Sequence, residues 1–128
     1  MIQRLRLLMV ALFALYSGYA SALSLGEIEL KSALNQRLDA EIILSNVDDL
    51  ELSEITFKLA TKQDFDRAGV NRGDHLTDLR FNIRVLDDGV HIVHITSINL
   101  ITEPFLNFIV EAIWPAGRIM SEYIVLLD

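Results

Sequence analysis

From Leu79 to Ile98 the chain spells out a β-hairpin. Leu79, Phe81, Ile83 and Val85 alternate with Arg80, Asn82 and Arg84, the period of two that puts one face of a strand on a core and the other in water. Asp87-Asp-Gly89 follows, and Asp-Gly tolerates the positive φ angles of a tight hairpin turn. Val90 to Ile98 then returns beside the first strand. This segment commits the chain to a sheet.

The same alternation recurs along the chain. Glu27–Lys31 reads as a strand, as do Leu38, Ala40, Ile42 and Leu44 with Asp39 and Glu41 between them. Ser32–Arg37 is a candidate turn between the two, and Asp48–Glu51 a polar connection. Ile55, Phe57 and Leu59 face one side while Thr56 and Lys58 face the other. A second hairpin runs from Phe105 to Trp114, through Pro115-Ala-Gly117, and back over Ile119 to Leu127. One short helix is expected over Lys62–Arg67. Thr61 is its N-cap, Asp64 stands in a capping-box position, Phe65 and Ala68 give an apolar side, and Gly69 supplies a left-handed stop. Asn71–Asp74 reads as a loop. Seven or so short strands, with turn signals roughly every 8–12 residues, predict a small immunoglobulin-like antiparallel β-sandwich with one short helix.

The first 22 residues follow a different pattern. Arg4 and Arg6 precede the uncharged run Leu7–Tyr16; Ser17-Gly18 breaks it, and Ala20-Ser21-Ala22 ends it with small residues. A positive start, a short apolar stretch and Ala-x-Ala describe a secretory signal peptide, so residues 1–22 are expected to be removed and residues 23–128 to form one exported, periplasmic domain. The alternative is an N-terminal anchor in the inner membrane, for which the apolar part is short of the roughly 20 residues that span a bilayer. Residues 23–128 keep all 18 acids and lose two of the 11 bases, which takes the net charge from −7 to −9. Such a surface repels phosphate backbones and anionic head groups, so neither nucleic acid nor a direct membrane span is expected of the mature chain.

Signals for chemistry are few. With no cysteine there is no disulfide framework, thiolate zinc site, thiol nucleophile or lipid-modified cysteine. His91 and His94 lie three apart, so on a strand they point to opposite faces and cannot share an ion; with His75 they read as surface or packing residues. Arg72-Gly-Asp74 matches an adhesion tripeptide but is also ordinary turn chemistry. The acids Asp48, Asp49, Glu51 and Glu54, and Asp64, Asp66 and Asp74, lack calcium-loop spacing and read as a solvated face. There is no Gly-x-Ser-x-Gly elbow and no glycine-rich phosphate loop. No catalytic, metal or cofactor-binding residue is assigned, and no enzyme activity is expected.

The remaining signal is Phe105–Trp114, apolar on both faces except at Asn107 and Glu111. Such a strand is either buried on both sides, for instance under the Thr61 helix, or lies at an edge where another chain can pair with it.

Several segments together carry a resemblance. Leu25–Gln36 just after the leader, Phe65–Val70, Leu76–Phe81, Glu103–Phe108, Trp114–Arg118 and Tyr123–Asp128 resemble the N-terminal periplasmic domain of the FimV/HubP family, in order and over essentially the whole mature chain. The resemblance implies a polar landmark protein involved in type IV pilus assembly and twitching motility. It also implies a following peptidoglycan-binding LysM domain, a transmembrane helix and an acidic cytoplasmic part. Those parts would lie beyond Asp128, so peptidoglycan is expected as a partner only if a LysM domain follows in a longer product. Arg37 stands where similar sequences often have proline.

The expected function is protein–protein contact in the envelope, with envelope proteins and pilus-assembly components as partners, through a strand edge or the Phe105–Trp114 surface. Candidate contact residues are Asn35, Gln36, Arg80, Phe105, Phe108, Trp114, Arg118 and Tyr123. Two other classes stay open: a carbohydrate- or peptidoglycan-binding module stacking sugars on Tyr123 or Trp114, and a chaperone-like sandwich that donates a strand.

Overall fold

Strand β1 (Ser24–Leu30) pairs antiparallel with β2 (Arg37–Ser45), β2 with β5 (His91–Leu100), and β5 with β4 (Leu79–Val85). A second antiparallel sheet has the order β3 (Thr56–Leu59), β6 (Phe105–Trp114), β7 (Gly117–Leu126). This computed structural model describes residues 23–47 and 50–128. The expected signal peptide and Asp48-Asp49 lie outside the described residues. Four strands in the order first, second, fifth, fourth, facing three in the order third, sixth, seventh, is the immunoglobulin constant-type arrangement. The sandwich expected from the alternation is therefore the fold.

The alternation decides which side chains meet between the sheets. On β2, Leu38, Ala40, Ile42 and Leu44 are buried while their neighbours face outward. Val93 and Ile95 of β5 complete that layer; Leu106, Phe108, Val110 and Ala112 of β6, with Tyr123 and Val125 of β7, supply the opposite one. Without a disulfide, this apolar packing holds the sheets together, at about 25 cal/mol for each Å² removed from water.

The connection from β3 to β4 carries the one α-helix among the described residues, α1 (Lys62–Ala68). Thr61 Oγ1 accepts from Asp64 N at 3.2 Å and donates to Asp64 Oδ2 at 2.8 Å, and Gly69 ends the helix at φ 73°. The cap and the stop are those the sequence predicts. Phe65 is fully buried, with the Arg72 guanidinium 5.9 Å above its ring. Two short 3-10 turns, Leu52–Glu54 and Asp74–Asp78, were not expected. The turn at Asp87-Asp-Gly89 forms as predicted, with Gly89 at φ 85°.

The edge strands adjoin in pairs, β1 with β7 and β3 with β4. Tyr123 Oη donates to Gly26 O across the first seam at 2.8 Å. At one end of the sandwich three segments come together: Leu34 N donates to Asp128 O at 3.0 Å, Asn35 N to Ile101 O at 2.8 Å, and Leu127 N to Pro104 O at 2.8 Å.

One alternative from the sequence is corrected. β6 is the centre of its sheet, paired with β3 over Val110–Ile113 on one side and with β7 from Phe105 to Trp114 on the other, so Phe105–Trp114 is not an edge strand. Its double-sided hydrophobicity is used internally. Ile109 and Glu111, on the face turned away from the other sheet, are only 4% and 2% exposed. Ala60 N donates to Ile109 O at 2.9 Å, so the chain leaves β3 for α1 beside Ile109.

Candidate interaction surface

Two surfaces expose apolar side chains in an organised way. The first is an irregularity at the end of β5. Between Arg37↔Leu100 and Asp39↔Thr96 the β2–β5 register shifts, so two steps on β2 oppose four on β5 and the intervening residues bulge. A bulge orphans ladder groups and re-aims side chains. Here Ser97 Oγ takes the place of the missing carbonyl, accepting from the buried Leu38 N at 2.7 Å and donating to Asn99 O at 2.7 Å. Asp78 Oδ2 accepts from Asn99 N at 2.7 Å. The bulge presents Ile98 and Leu100 to solvent, 52% and 59% exposed. A cleft of about 430 Å³ lies on its Asn35–Arg37 side and one of about 400 Å³ on its Asp74–Arg80 side, with Asn99 and Leu100 common to both.

The second surface is the outer face of β6 and β7. Phe105 stands directly opposite Leu126, and Ile124 is two residues back along β7 on the same face. These three are 51%, 69% and 58% exposed. Further along, Met120 is 43% exposed opposite buried Glu111. Glu111 Oε1 lies 3.4 Å from Arg118, while Glu111 Oε2 and Asn107 Oδ1 are buried with no hydrogen-bond partner.

The residues picked from sequence divide between these surfaces and the interior. Asn35, Gln36 and Arg80 line the two clefts. Asn35 takes a left-handed φ of 65°, Gln36 Oε1 accepts from Ala33 N at 2.9 Å, and Arg80 is tied to the carbonyls of Thr77 and Leu79 at 3.2 and 3.1 Å. Phe105 is on the outer β6–β7 face, and Arg118 is half exposed on that same face. Phe108 and Tyr123 require correction. Phe108 is fully buried, and Tyr123 is 6% exposed with its ring 6.0 Å from that of Phe108. Both point between the sheets, so neither reaches a partner and Tyr123 cannot stack on a sugar. Trp114 is half buried, with its indole against Gly117.

Burial pushes the Tyr123 hydroxyl's pKa up, partly offset by a hydrogen bond from Ser121. The Thr61 hydroxyl holds Asp64 below the usual carboxylate range against the opposing effect of burial. Both shifts arise from packing and capping. His94 Nε2 lies 2.8 Å from Asp39 Oδ1 on the outer face of the four-stranded sheet, and no group of three or more potential metal ligands occurs among the described residues.

The model of the FimV N-terminal Ig-like domain matches residues 23–128, the span of this sandwich. The chain belongs to the FimV family. The motility hub protein FimV of Pseudomonas aeruginosa strain PAO1 is 50% identical over 128 residues, which cover 98% of this chain and 14% of the relative. FimV of strain UCBPP-PA14 matches to the same extent. The chain thus spans about one seventh of the length of these curated relatives. No solved structure matches it significantly.

In this FimV-type domain the sequence reading missed Ile98, Leu100, Ile124 and Leu126. Each is an aliphatic residue in a strand and reads as core by composition. Parity separates Ile124 and Leu126 from Tyr123, Val125 and Leu127, but with apolar residues in both phases only the burial of the latter set shows which one faces inward. What the exposed groups offer chemically is apolar contact beside amides and charges, suited to holding another polypeptide. No helix among the described residues is long and apolar enough to cross a membrane.

Proposed function

We propose that residues 23–128 are a non-enzymatic protein-binding module of the FimV type, one domain exported to the periplasm behind a cleaved signal peptide at residues 1–22. It docks an envelope protein, in particular a pilus-assembly component, through the outer face of β6 and β7. The observation that carries this reading is the set Phe105, Ile124 and Leu126. Three large apolar side chains on one face, each more than half exposed, form a patch that a free soluble domain has no packing reason to keep. Family membership supports the motility setting, since the relatives are motility hub proteins.

The test is photocrosslinking in living cells, with a photoreactive residue placed at Ile124 or Leu126 and, as a control, at the exposed turn residue Asp88. An adduct with one envelope protein from the β7 positions and none from Asp88 is expected. No adduct, or the same adducts from all three, would overturn the reading. Export is checked separately by N-terminal sequencing of the periplasmic fraction, which should begin at Leu23.

A further inference from the structure

The groove across the β5 bulge lies on a different part of the molecule and calls for its own occupant. We propose that it binds an extended segment of a partner protein with aliphatic side chains at its centre and an acidic residue on the Arg37 side. This rests on the domain being a protein-binding module but not on the β6–β7 face.

Three observations support it. The bulge is held by dedicated bonds from Ser97 and Asp78, so Ile98 and Leu100 are displayed by a rigid support and a visiting chain loses little to ordering them. On the Arg37 side, the cleft is lined by one cation, three carboxamides and two aliphatics, with no acid: Arg37, the Asn35, Gln36 and Asn99 amides, and Ile98 and Leu100 of the bulge. Arg37 is exposed and makes no ion pair with any described residue, in a domain whose net charge is −9. A cation with no ion pair among the described residues, beside two uncovered aliphatics and with no acid in its cleft, complements a carboxylate next to apolar side chains.

The far cleft sets the direction of the segment. It holds Asp74, Asp78 and Glu103 against the single guanidinium of Arg80, so it repels acids and favours a base or a neutral residue. An acidic residue therefore sits at Arg37, the aliphatics lie over Ile98 and Leu100, and the segment leaves past Asp74.

The experiment uses the exported protein immobilised and panned with a random dodecapeptide library displayed on phage. Peptides with an Asp or Glu beside two or more aliphatic residues are expected to be enriched. A synthetic peptide of that sequence should bind Arg37→Glu about tenfold or more weakly, and exchanging its acid for Lys should restore binding to that variant. Leu100→Ser, an exposed position, should weaken both peptides. Enrichment of motifs without acids, binding unchanged by Arg37→Glu, or no enrichment would each overturn the proposal. Adducts at Ile124 or Leu126 would still stand in those cases, so failure here is distinct from failure of the docking face on β7.

Discussion

The Ser97 hydroxyl stands 2.7 Å from the backbone nitrogen of Leu38, 59 positions away in the chain, where the bulge has removed the carbonyl a regular ladder would supply. Ser97 is only 6% exposed, so water cannot easily take its place. Ser97→Ala leaves that amide buried and unsatisfied. The expected loss is about 1–3 kcal/mol of unfolding free energy, measured by urea denaturation. Leu100→Ser, at an exposed position on the same bulge, should change stability by no more than about 0.5 kcal/mol.

Tyr123 ties β7 to β1 through the Gly26 carbonyl. Tyr123→Phe keeps the ring packed on Phe108 and removes only the bond, at an expected cost of about 0.5–1.5 kcal/mol. The raised pKa of the phenol adds a pH signature. The folded state favours the neutral hydroxyl, so this contribution is intact below the ordinary value of 10.0 and fades as pH rises through the higher folded-state value. Stability curves of wild type and Tyr123→Phe should converge at alkaline pH; parallel curves would count against this role.

The cap on α1 gives the opposite dependence. Asp64 is held below its ordinary value of 3.8, first by the Thr61 hydroxyl. Its contribution is present above that value and is lost as pH falls through the lowered one. Thr61→Ala should therefore flatten the acid limb of the stability curve, and Thr61→Ser should preserve it. Thermal melts between neutral and strongly acidic pH read the difference.

Glu111 and Arg118 form a lopsided pair, the acid 2% exposed and the base 52%. Removing the base strands a buried carboxylate, so Arg118→Ala should cost about 1–3 kcal/mol, less than the ~3–5 of a fully buried pair. Glu111→Gln removes the buried charge itself and should be close to neutral. The double variant should recover most of the loss. A loss in the double variant equal to the sum of the singles would show that the two residues do not interact.

The strands were legible because each buries one face, and that leaves a period of two in the sequence. The helix was legible because Thr61, Asp64 and Gly69 act on groups within one turn. The interaction surfaces were harder to read. Both faces of β6 and β7 are rich in apolar residues, so alternation signalled strands without indicating that Tyr123 points inward and Ile124 outward. The β5 bulge depends on Leu38 and Asp78, which the fold brings to Ser97 and Asn99 from distant positions; no local pattern records it. Asn35, Gln36 and Arg80 were picked as polar rim residues and do line the clefts, but the aliphatics between them were not singled out.

The meeting of Leu34 with Asp128 has a mechanical consequence. Leu34 follows the far end of β1, so Asp128 lies one strand length, about 23 Å at 3.3 Å per residue, from Ser24. β1 and β7 thus run side by side in the same direction. A pull applied at Ser24 and Asp128 acts along both strands and shears their seam, loading its contacts together instead of peeling them apart one by one. The Tyr123–Gly26 bond crosses that seam and is loaded along with it.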